Sequence, residues 1–380
     1  MNDTDVLVVG AGPTGLALGA ALSAKGIRAV VVDALAEGQN TTRAAVVNAR
    51  TLEVLEGLDV ARRMVKAGLI APRFTMRAGR QILIPVDFSA LPTEYPYSLM
   101  LSQADTERLL LERLHELGGQ VIRPKTLSRL TPDADGVTAA FDDGDTIRAG
   151  YVVGADGMHS TVREQAGIGF AGSEFAESFA LADVRLAGGA PRDEVILFYA
   201  KEGLTVVAPL PGDIFRIVAP AADAPKTPSA EFVQALLDRR AFGPGELVVT
   251  ELLWGTRFHI HHRVADSYRA GRLLLAGDAA HVHSPAGGQG MNLGITDAIS
   301  LAGALAEVLN GGPDTALDAY AGVQRRRAEQ VLRLTGRLTR MATLPRPLRP
   351  IRNSGIRLAA GVPAVRRQLA VQLSGLGRSR

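Results

Sequence analysis

Residues 5–26, DVLVVGAGPTGLALGAALSAKG, decide the fold class. The apolar run at 5–9 has the length and β-branched composition of a buried strand, and the segment after the glycines repeats apolar residues at a helical period. A second apolar run, RAVVVDA at 28–34, follows after a short connection. Strand, helix and strand joined by short turns indicate an α/β protein with a parallel sheet.

The turn between strand and helix has the spacing G-x-G-x-x-G. Its residues are Gly10, Gly12, Pro13, Thr14 and Gly15. The first glycine allows a tight turn, the second lets the backbone approach a pyrophosphate, and the third permits close packing of helix on strand. Asp33 ends the second strand, where a carboxylate can accept hydrogen bonds from ribose hydroxyls and would repel a 2′-phosphate. The segment predicts FAD or NAD at this turn rather than NADP.

Composition narrows the class of protein. The 380 residues are 47% hydrophobic, enough for a large core, and contain no cysteine, which excludes disulfides and thiol chemistry. The N-terminus is acidic and lacks the basic start of a signal peptide, and no apolar run approaches the ~20 residues of a membrane helix. We therefore expect a cytoplasmic protein without an integral membrane segment.

The small net charge of +3 conceals an asymmetry. Residues 323–380 contain fourteen arginines and a single acid, Glu329, so that they carry +13 and the other 322 residues sum to −10. Such a tail can bind nucleic acid, lie on an anionic membrane or fold back on an acidic body. Leucines and valines at helical spacing favour packing helices that dock on the body or on a second copy, and we expect no nucleic-acid partner.

Local patterns between the motifs indicate further elements. We expect a helical stretch over 44–66, strands over 73–101, and a helix after Ser102, which can form a capping box with Asp105. Further strands are expected over 173–265, with one helix near 230–240. A helix should begin at about Gly290.

Two later stretches are more specific, VVGADGMHSTVRE at 152–164 and LLLAGDAAHVHSPAGGQGMNLGITDAISL at 273–301. Together with the glycine motif, and in this order, they resemble the class A FAD-dependent aromatic monooxygenases. That family includes p-hydroxybenzoate hydroxylase, phenol hydroxylase and the polyketide hydroxylases. The segment TRAAVVNARTLEVLEGLDV at 42–60 is more similar to the phenol and polyketide hydroxylase branch.

The resemblance implies a Rossmann-like FAD-binding domain that is intergrown with a β-sheet-rich substrate domain and followed by C-terminal helices. The FAD-binding domain would comprise residues 1–70, 99–172 and 266–340, and the substrate domain residues 71–98 and 173–265. Residues 341–380 would form arginine-rich helices, without the thioredoxin-like domain that many phenol hydroxylases carry.

The same resemblance implies roles for individual residues around FAD. Beyond the glycine motif, the cofactor-binding residues would be Asp33 at the adenosine ribose, Arg43 and Asp278 along the phosphate and ribityl chain, Gln103, Asp156 in a fingerprint shared with the nicotinamide cofactor, and Gly290, Met291 and Asn292 at the isoalloxazine ring. The backbone carbonyl of Pro285 would be the catalytic group beside the reacting edge of the flavin. Helix dipole physics supports the ring assignment, because a helix N-terminus stabilises an anion such as reduced flavin by about 0.3–2 kcal/mol.

The implied activity is hydroxylation of a phenolic or polyketide-like aromatic substrate by dioxygen. NADPH or NADH would reduce the flavin transiently, and a flavin C4a-hydroperoxide would transfer one oxygen atom. A reductase or a non-hydroxylating FAD-binding protein on the same fold is the alternative. A halogenase fits less well, because the only tryptophan, Trp254, does not lie in a W-x-W-x-I-P element.

Several residues invite other interpretations. A metal site could be drawn from His259, His261, His262, His281 and His283, but these histidines lack helical i, i+4 ligand spacing, and we interpret His281 and His283 as bystanders in a loop, with no metal bound. A hydrolase triad of Asp278, His281 and Ser284 lacks the G-x-S-x-G turn. Arg216 is expected in a surface ion pair on a strand, with a substrate or gating role as the alternative. Tyr97 and Tyr199 could be packing or active-site residues.

Overall fold

The computed structural model describes residues 2–38, 44–284, 288–342 and 344–378. The helices within them are α1 (Pro13–Ala24), α2 (Ala49–Leu55), α3 (Ala61–Ala67), α4 (Gln103–Glu116), α5 (Thr161–Gln165), α6 (Ala230–Arg240), α7 (Gly290–Leu309), α8 (Thr315–Ala342), α9 (Arg349–Ala360) and α10 (Pro363–Leu373). The first eleven strands are β1 (Asn2–Val9), β2 (Ala29–Val32), β3 (Val46–Val47), β4 (Leu69–Ala71), β5 (Arg73–Ala78), β6 (Gln81–Asp87), β7 (Ser98–Met100), β8 (Gln120–Ile122), β9 (Leu127–Pro132), β10 (Val137–Phe141) and β11 (Thr146–Gly154). The others are β12 (Phe170–Gly188), β13 (Glu194–Tyr199), β14 (Leu204–Leu210), β15 (Ile214–Pro220), β16 (Leu247–Ala265), β17 (Arg269–Ala270), β18 (Leu273–Leu275) and β19 (His281–Val282).

A parallel sheet forms the centre of the first layer, in the order β18-β11-β1-β2-β8, with β17 at one edge. Strand β10 pairs antiparallel with β11, and β9 pairs antiparallel with β10. Helix α1 packs on it against α4 and α7, with its leucines fully buried. The β1-α1-β2 unit and its parallel pairing confirm the α/β, Rossmann-like architecture that residues 5–34 predict.

A second sheet has the order β19-β16-β12-β15-β14-β13-β5-β6. Strands β12 and β16 are each 19 residues long and pair along almost their whole length. Its edge strand β19 comes from the second long motif, so the chain returns to this sheet after it has completed the first. The two sheets are therefore intergrown, and β12 begins at Phe170, before the expected domain boundary at 173.

The expectation of one helical stretch over 44–66 is wrong. The segment begins as strand β3, which pairs with β7, and continues as the two short helices α2 and α3. The Asn48 side chain accepts the amide of Thr51 at 3.0 Å and starts α2, while Asp59 adopts a left-handed φ of 57° before α3. The N-cap role of Ser102 is confirmed, since its hydroxyl accepts the Asp105 amide at 3.0 Å and donates to the Asp105 carboxylate at 2.7 Å.

The arginine-rich C-terminal segment folds back on the body. Ala370 and Leu373 of α10 are buried in a cluster with Val86, Phe88 and Leu91. On α9, the guanidinium of Arg352 lies 4.3 Å from the Tyr199 ring centre. Tyr199 is fully buried there, which makes it a packing residue.

Helix α7 is, among the described residues, the one helix long and apolar enough to cross a membrane, and half of that window is buried in the protein. It lies at the centre of the fold, in contact with α1, α2 and α8. Its apolar composition is explained by this core position.

Candidate active site

Four parallel strands of the first sheet end at the same edge. The register aligns Val9 with Val32 and Gly154, and Gly154 with Leu275. The polar or glycine residues that follow these strand ends are Gly10, Asp33, Asp156 and Asp278. Ligands of open α/β sheets bind at the carboxyl ends of the strands, so the fold brings these predicted site residues to one crevice.

The three glycines of the motif are required for different reasons. A Cβ on Gly10, whose φ is +104°, would lie 2.3 Å from the Ala155 carbonyl oxygen, and one on Gly15 would lie 1.8 Å from the Gly10 oxygen. Both glycines therefore permit close packing of backbone. A Cβ on Gly12 would meet nothing within 4 Å. Gly12 faces open space at the start of α1 and, as the N-cap residue, has no side chain to cap the helix, so the first helix amides are available to an anion.

The Asp33 carboxylate accepts two backbone amides, that of Ala11 at 2.6 Å and that of Leu35 at 2.8 Å. Next to it lies Arg123, whose Nη2 donates to the Ala11 carbonyl at 3.0 Å and whose buried Nε has no partner among the described residues. The sequence reasoning missed Arg123. The feature that could have identified Arg123 is its position directly after β8, the parallel strand that pairs with β2.

Gln103 is the first residue of α4 and contacts the segment that follows Arg43. Its backbone amide donates to the Ala44 carbonyl at 3.1 Å, and its side-chain Nε2 donates to the Glu107 carboxylate at 2.9 Å. Burial raises the pKa of the Glu107 carboxyl, although the Gln103 hydrogen bond and the nearby Arg123 oppose this. Arg43 itself lies outside the described residues, so its predicted contact with FAD stays a prediction.

Asp156 follows β11 and lies against the glycine turn, where a Cβ on Gly10 would be 2.8 Å from the Asp156 nitrogen. Its Oδ2 accepts the Val162 amide at 3.2 Å, whereas the buried Oδ1 has no partner among the described residues. Burial raises the pKa of this carboxyl, and hydrogen bonds from Ser160 and the backbone partly offset the rise. A buried acceptor at the mouth of the crevice fits a ligand that donates to it.

Because burial raises the pKa of Asp156 above the ordinary 3.8, its ionisation works against folding of the ligand-free protein. The stabilising contribution is present below the unfolded-state pKa and is lost as pH rises through the folded-state pKa. Asp156→Asn is therefore expected to raise the free energy of unfolding at pH 7, by on the order of 1 kcal/mol. The gain should vanish near pH 4.

Urea unfolding of the ligand-free protein at pH 4, 5.5 and 7 measures this effect. The control is Asp135→Asn, which makes the same substitution at an exposed carboxylate. A loss of stability in Asp156→Asn that is equal at all three pH values would contradict the prediction, because it would mean that the fold requires the carboxylate itself.

The N-terminus of α7 is the second uncapped helix start at the crevice. Gln289 precedes the helix without capping it, since its side-chain Nε2 donates to the Leu373 carbonyl of α10 at 3.2 Å. Gly288 has a φ of +62°, and Gly290 leaves its Cβ position 3.8 Å from His283, so backbone lines this end. Met291 is half-buried against the main core. Pro285 lies outside the described residues.

Asn292 is fully buried, and its side chain is used in folding. Its Oδ1 accepts the Asn48 amide at 2.9 Å, and its Nδ2 donates to the carbonyls of Val46 at 2.8 Å and Gly288 at 2.6 Å. The side chain therefore fixes the start of α7 against β3. Any contact of Asn292 with a bound ring would come from its main chain.

Asp278 lies exposed in the short 3-10 turn Gly277–Ala279, and a buried pair holds this turn in place. Asp297 of α7 accepts the Gly277 amide at 3.2 Å and faces His281 Nε2 at 2.6 Å. Both side chains of the pair are 0% exposed. His281 is thus no loop bystander, as the sequence suggested, but a core residue in β19. The sequence reasoning missed Asp297 because its partner is sixteen residues away.

The histidines are dispersed among polar partners. His259 Nε2 lies 3.1 Å from the Ser178 hydroxyl, and the carboxylate beside His281 is that of Asp297 rather than Asp278. In the part of the chain that the structure describes, no three histidine, aspartate or glutamate side chains converge as metal ligands do. The triad of Asp278, His281 and Ser284 is therefore not assembled through His281 Nε2.

Arg216 forms an ion pair, but a buried one rather than the expected surface pair. Its guanidinium donates to both carboxylate oxygens of Asp183, Nε at 2.8 Å and Nη2 at 2.7 Å, and is 3% exposed. Its Nη1 donates to the Ala44 carbonyl at 3.0 Å. Arg216 therefore ties β15 of the second sheet to the segment that follows Arg43, at the boundary between the two sheets.

These features fit FAD. The uncapped start of α1 with the open face at Gly12 suits a pyrophosphate, and the edge between β2 and β8, with Asp33 and Arg123, suits an adenosine. The uncapped start of α7, lined by glycine backbone, suits a flat ring that becomes anionic on reduction. NAD alone would leave this second helix start without a ligand.

Comparisons with known proteins agree. The family model described as FAD binding domain matches residues 3–335. The chain is 35% identical to 12-dehydrotetracycline 5-monooxygenase/anhydrotetracycline 6-monooxygenase of Streptomyces rimosus subsp. rimosus over 350 residues, 87% of this chain and 68% of that protein.

Two solved structures share the architecture. p-Nitrophenol 4-monooxygenase PnpA of Pseudomonas putida DLL-E4 is 26% identical, with a TM-score of 0.87 over 100% of both chains. The Diels-Alderase PyrE3 of the pyrroindomycin pathway is 29% identical with a TM-score of 0.82, over 99% of this chain and 80% of that one. With its motifs at aligned strand ends and a family match over most of its length, the chain belongs to the FAD-dependent aromatic monooxygenases and takes FAD as its cofactor.

Proposed function

We propose that the chain hydroxylates a phenolic, fused-ring substrate of the polyketide type, with NADPH or NADH as the reductant. One atom of dioxygen enters the aromatic ring as a hydroxyl group and the other leaves as water, while NAD(P)H and a proton supply the two electrons and the hydrogen. Hydride acceptance and oxygen activation are the chemistry that FAD would supply when bound. A cytoplasmic location, where NAD(P)H is available, belongs to the same proposal.

The observation that carries the proposal is the connection between the two sheets. Strand β19 is the edge of the second sheet, and the chain passes from it within eight residues to the start of α7. A ring bound at α7 would therefore lie between the nucleotide-binding edge and the second sheet, which would cover the substrate. We assign the carbonyl of Pro285, in this connection, to the reacting edge of the ring.

The other residues are assigned to binding and orientation. The α1 amides and Gly12 hold the pyrophosphate, Asp33 and Arg123 the adenosine side, and the first amides of α7 the anionic ring. Asp156, with its unpartnered oxygen, receives a donor from FAD or from the visiting nicotinamide cofactor. Arg216 positions the second sheet relative to Ala44. The closed site then excludes water from the reaction.

The preference for a fused-ring substrate is supported by sequence similarity. The relatives named for tetracycline and pretetramide intermediates are 35% and 36% identical, and the relative named for pentachlorophenol, a single ring, is 33% identical, so the margin is narrow. A phenolic ring is electron-rich and suits electrophilic hydroxylation.

The test mixes FAD-loaded protein and NADPH or NADH with ¹⁸O₂ and a panel of simple phenols and polycyclic phenolic polyketides. Mass spectrometry should detect a product that carries one ¹⁸O atom, with the polycyclic compounds turned over faster than the simple phenols. Consumption of NAD(P)H that yields only hydrogen peroxide for every compound would contradict the proposal.

A second candidate is a non-hydroxylating enzyme with the same cofactor. The observation in its favour is the PyrE3 match, because that protein is named a Diels-Alderase. Under this candidate a substrate would be converted to an isomer of unchanged mass without NAD(P)H consumption. A third, the FAD-dependent reductase, would consume NAD(P)H without oxygen incorporation, so the same assay separates all three.

A further inference from the structure

Five of the large aliphatic side chains that are exposed in the described residues lie in one short segment, 348–365, and two of them are the most exposed of all. We call the following five side chains the tail ridge: Leu348 at 46% exposure, Ile351 at 70%, Leu358 at 82%, Val362 at 49% and Val365 at 39%. Ile351 and Leu358 have the highest exposure among the large hydrophobic side chains of the described residues. Exposed apolar side chains that are grouped in one short segment are typical of an interaction site.

The ridge is not the packing face of α9. The inner face is anchored by Arg352, which is buried and donates to the carbonyls of Met341 and Tyr199, and by Ile356, which packs against a core cluster. Ile351 and Leu358 are seven residues apart, two helical turns, and so share one side of α9. Helix α9 is therefore apolar on an outer side as well as on the side that docks.

The segment that carries the ridge has charges of one sign. Residues 330–380 contain eleven arginines and neither aspartate nor glutamate. Arg357 is exposed and precedes Leu358, which places it about 100° round the helix, at the border of the ridge. Arg367 is exposed beside Val365 and Arg366. The long aliphatic stems of arginine side chains allow the guanidinium groups to stay in a polar environment while neighbouring apolar side chains enter a nonpolar one.

Pairing of the ridge on one copy with the ridge on a second copy is disfavoured, because it would bring cations against cations. A surface with an apolar interior and anionic headgroups complements both features at once. We propose that the tail ridge docks the protein on an anionic lipid surface, with the aliphatic side chains in the interface and the bordering arginines on the headgroups. The docking is independent of the reaction proposed above.

Co-sedimentation of the FAD-loaded full-length protein with vesicles tests the proposal. The wild type is expected to bind vesicles of equal parts phosphatidylcholine and phosphatidylglycerol at least about tenfold more tightly than pure phosphatidylcholine, and to lose that advantage in 0.5 M salt as screening increases. The double variant Ile351→Asp/Leu358→Asp should bind at least about tenfold more weakly than the wild type. Arg357→Glu should weaken binding to the anionic vesicles alone.

A charge-matched control is Val248→Asp/Leu253→Asp on β16, whose side chains are 43% and 40% exposed. It should bind vesicles nearly as well as the wild type, and the flavin spectrum should be unchanged in every variant, which shows that each is folded. Equal binding of the two double variants, or no binding of the wild type to anionic vesicles, would overturn the proposal. So would a wild-type dimer in sedimentation velocity that becomes a monomer in Ile351→Asp/Leu358→Asp without any vesicle binding.

Discussion

Gly12→Asp is expected to yield a folded protein that retains no FAD. Gly12 has a φ of −76° and open space around its Cβ position, so an aspartate fits without strain. It is also the N-cap of α1, a position where aspartate stabilises a helix by about 1 kcal/mol relative to alanine. The new carboxylate would occupy the space of the pyrophosphate and repel it. We expect FAD affinity to fall at least about 100-fold, or about 2.8 kcal/mol.

Two matched variants make the result specific. Gly303→Asp adds the same charge on α7 at a glycine that also has nothing within 4 Å, and it should purify with its full FAD content. Gly15→Ala places a Cβ 1.8 Å from the Gly10 oxygen, so it should lose both FAD and thermal stability. The measurements are the flavin absorbance of the purified proteins and their melting followed by circular dichroism. Normal FAD content in Gly12→Asp would contradict the assignment of the pyrophosphate to the N-terminus of α1.

Asp297→Leu is expected to lower the free energy of unfolding by about 3–5 kcal/mol, the range for removal of one partner of a buried pair. The substitution keeps an aliphatic side chain of similar size but leaves His281 Nε2 and the Gly277 amide without an acceptor, in a place that water does not reach. Urea unfolding measures the loss. The control Asp318→Asn removes a 66% exposed partner of Arg269 on α8 and should cost less than about 1 kcal/mol.

A double-mutant cycle shows whether the pair acts as a unit. His281→Leu alone should also be strongly destabilising, while Asp297→Leu/His281→Leu should cost clearly less than the two single changes together. Because Asp297 fixes Gly277 beside Asp278, FAD should dissociate faster from Asp297→Leu even below its melting temperature. Additive single effects, with FAD dissociation unchanged, would mean that the pair neither couples nor positions the turn.

The parts of the site that the sequence predicts well are those that local patterns define. An acidic residue comes within three residues of the end of three parallel strands, as with Asp33 and Asp156, and the ends of parallel strands meet at one edge by topology alone. Glycine spacing likewise reports a turn and a helix start within six residues. These inferences need no knowledge of how distant segments pack.

The parts that the sequence does not predict depend on packing between distant segments. The partner of His281 is set by how β19 lies on α7, and Arg352 meets Tyr199 from 153 residues away. The stretch 44–66 has helical periodicity, yet its first residues pair with β7 because a strand there completes a small sheet. Periodicity shows which residues are apolar, but pairing with distant segments decides whether those residues form a helix or a strand.

The strand order of the first sheet has a consequence for biosynthesis. The two neighbours of β1 are β2, which is complete by residue 32, and β11, which ends at residue 154. Strand β18, which pairs with β11, follows only at residues 273–275. At 5–20 residues per second, a ribosome needs about 7–27 s to pass from β1 to β11, and during that time one edge of β1 has no partner. The nascent chain is thus a long-lived intermediate with an exposed apolar strand edge. Yield in a foreign host should therefore respond to chaperone supply and lower temperature more than to changes that stabilise the finished fold.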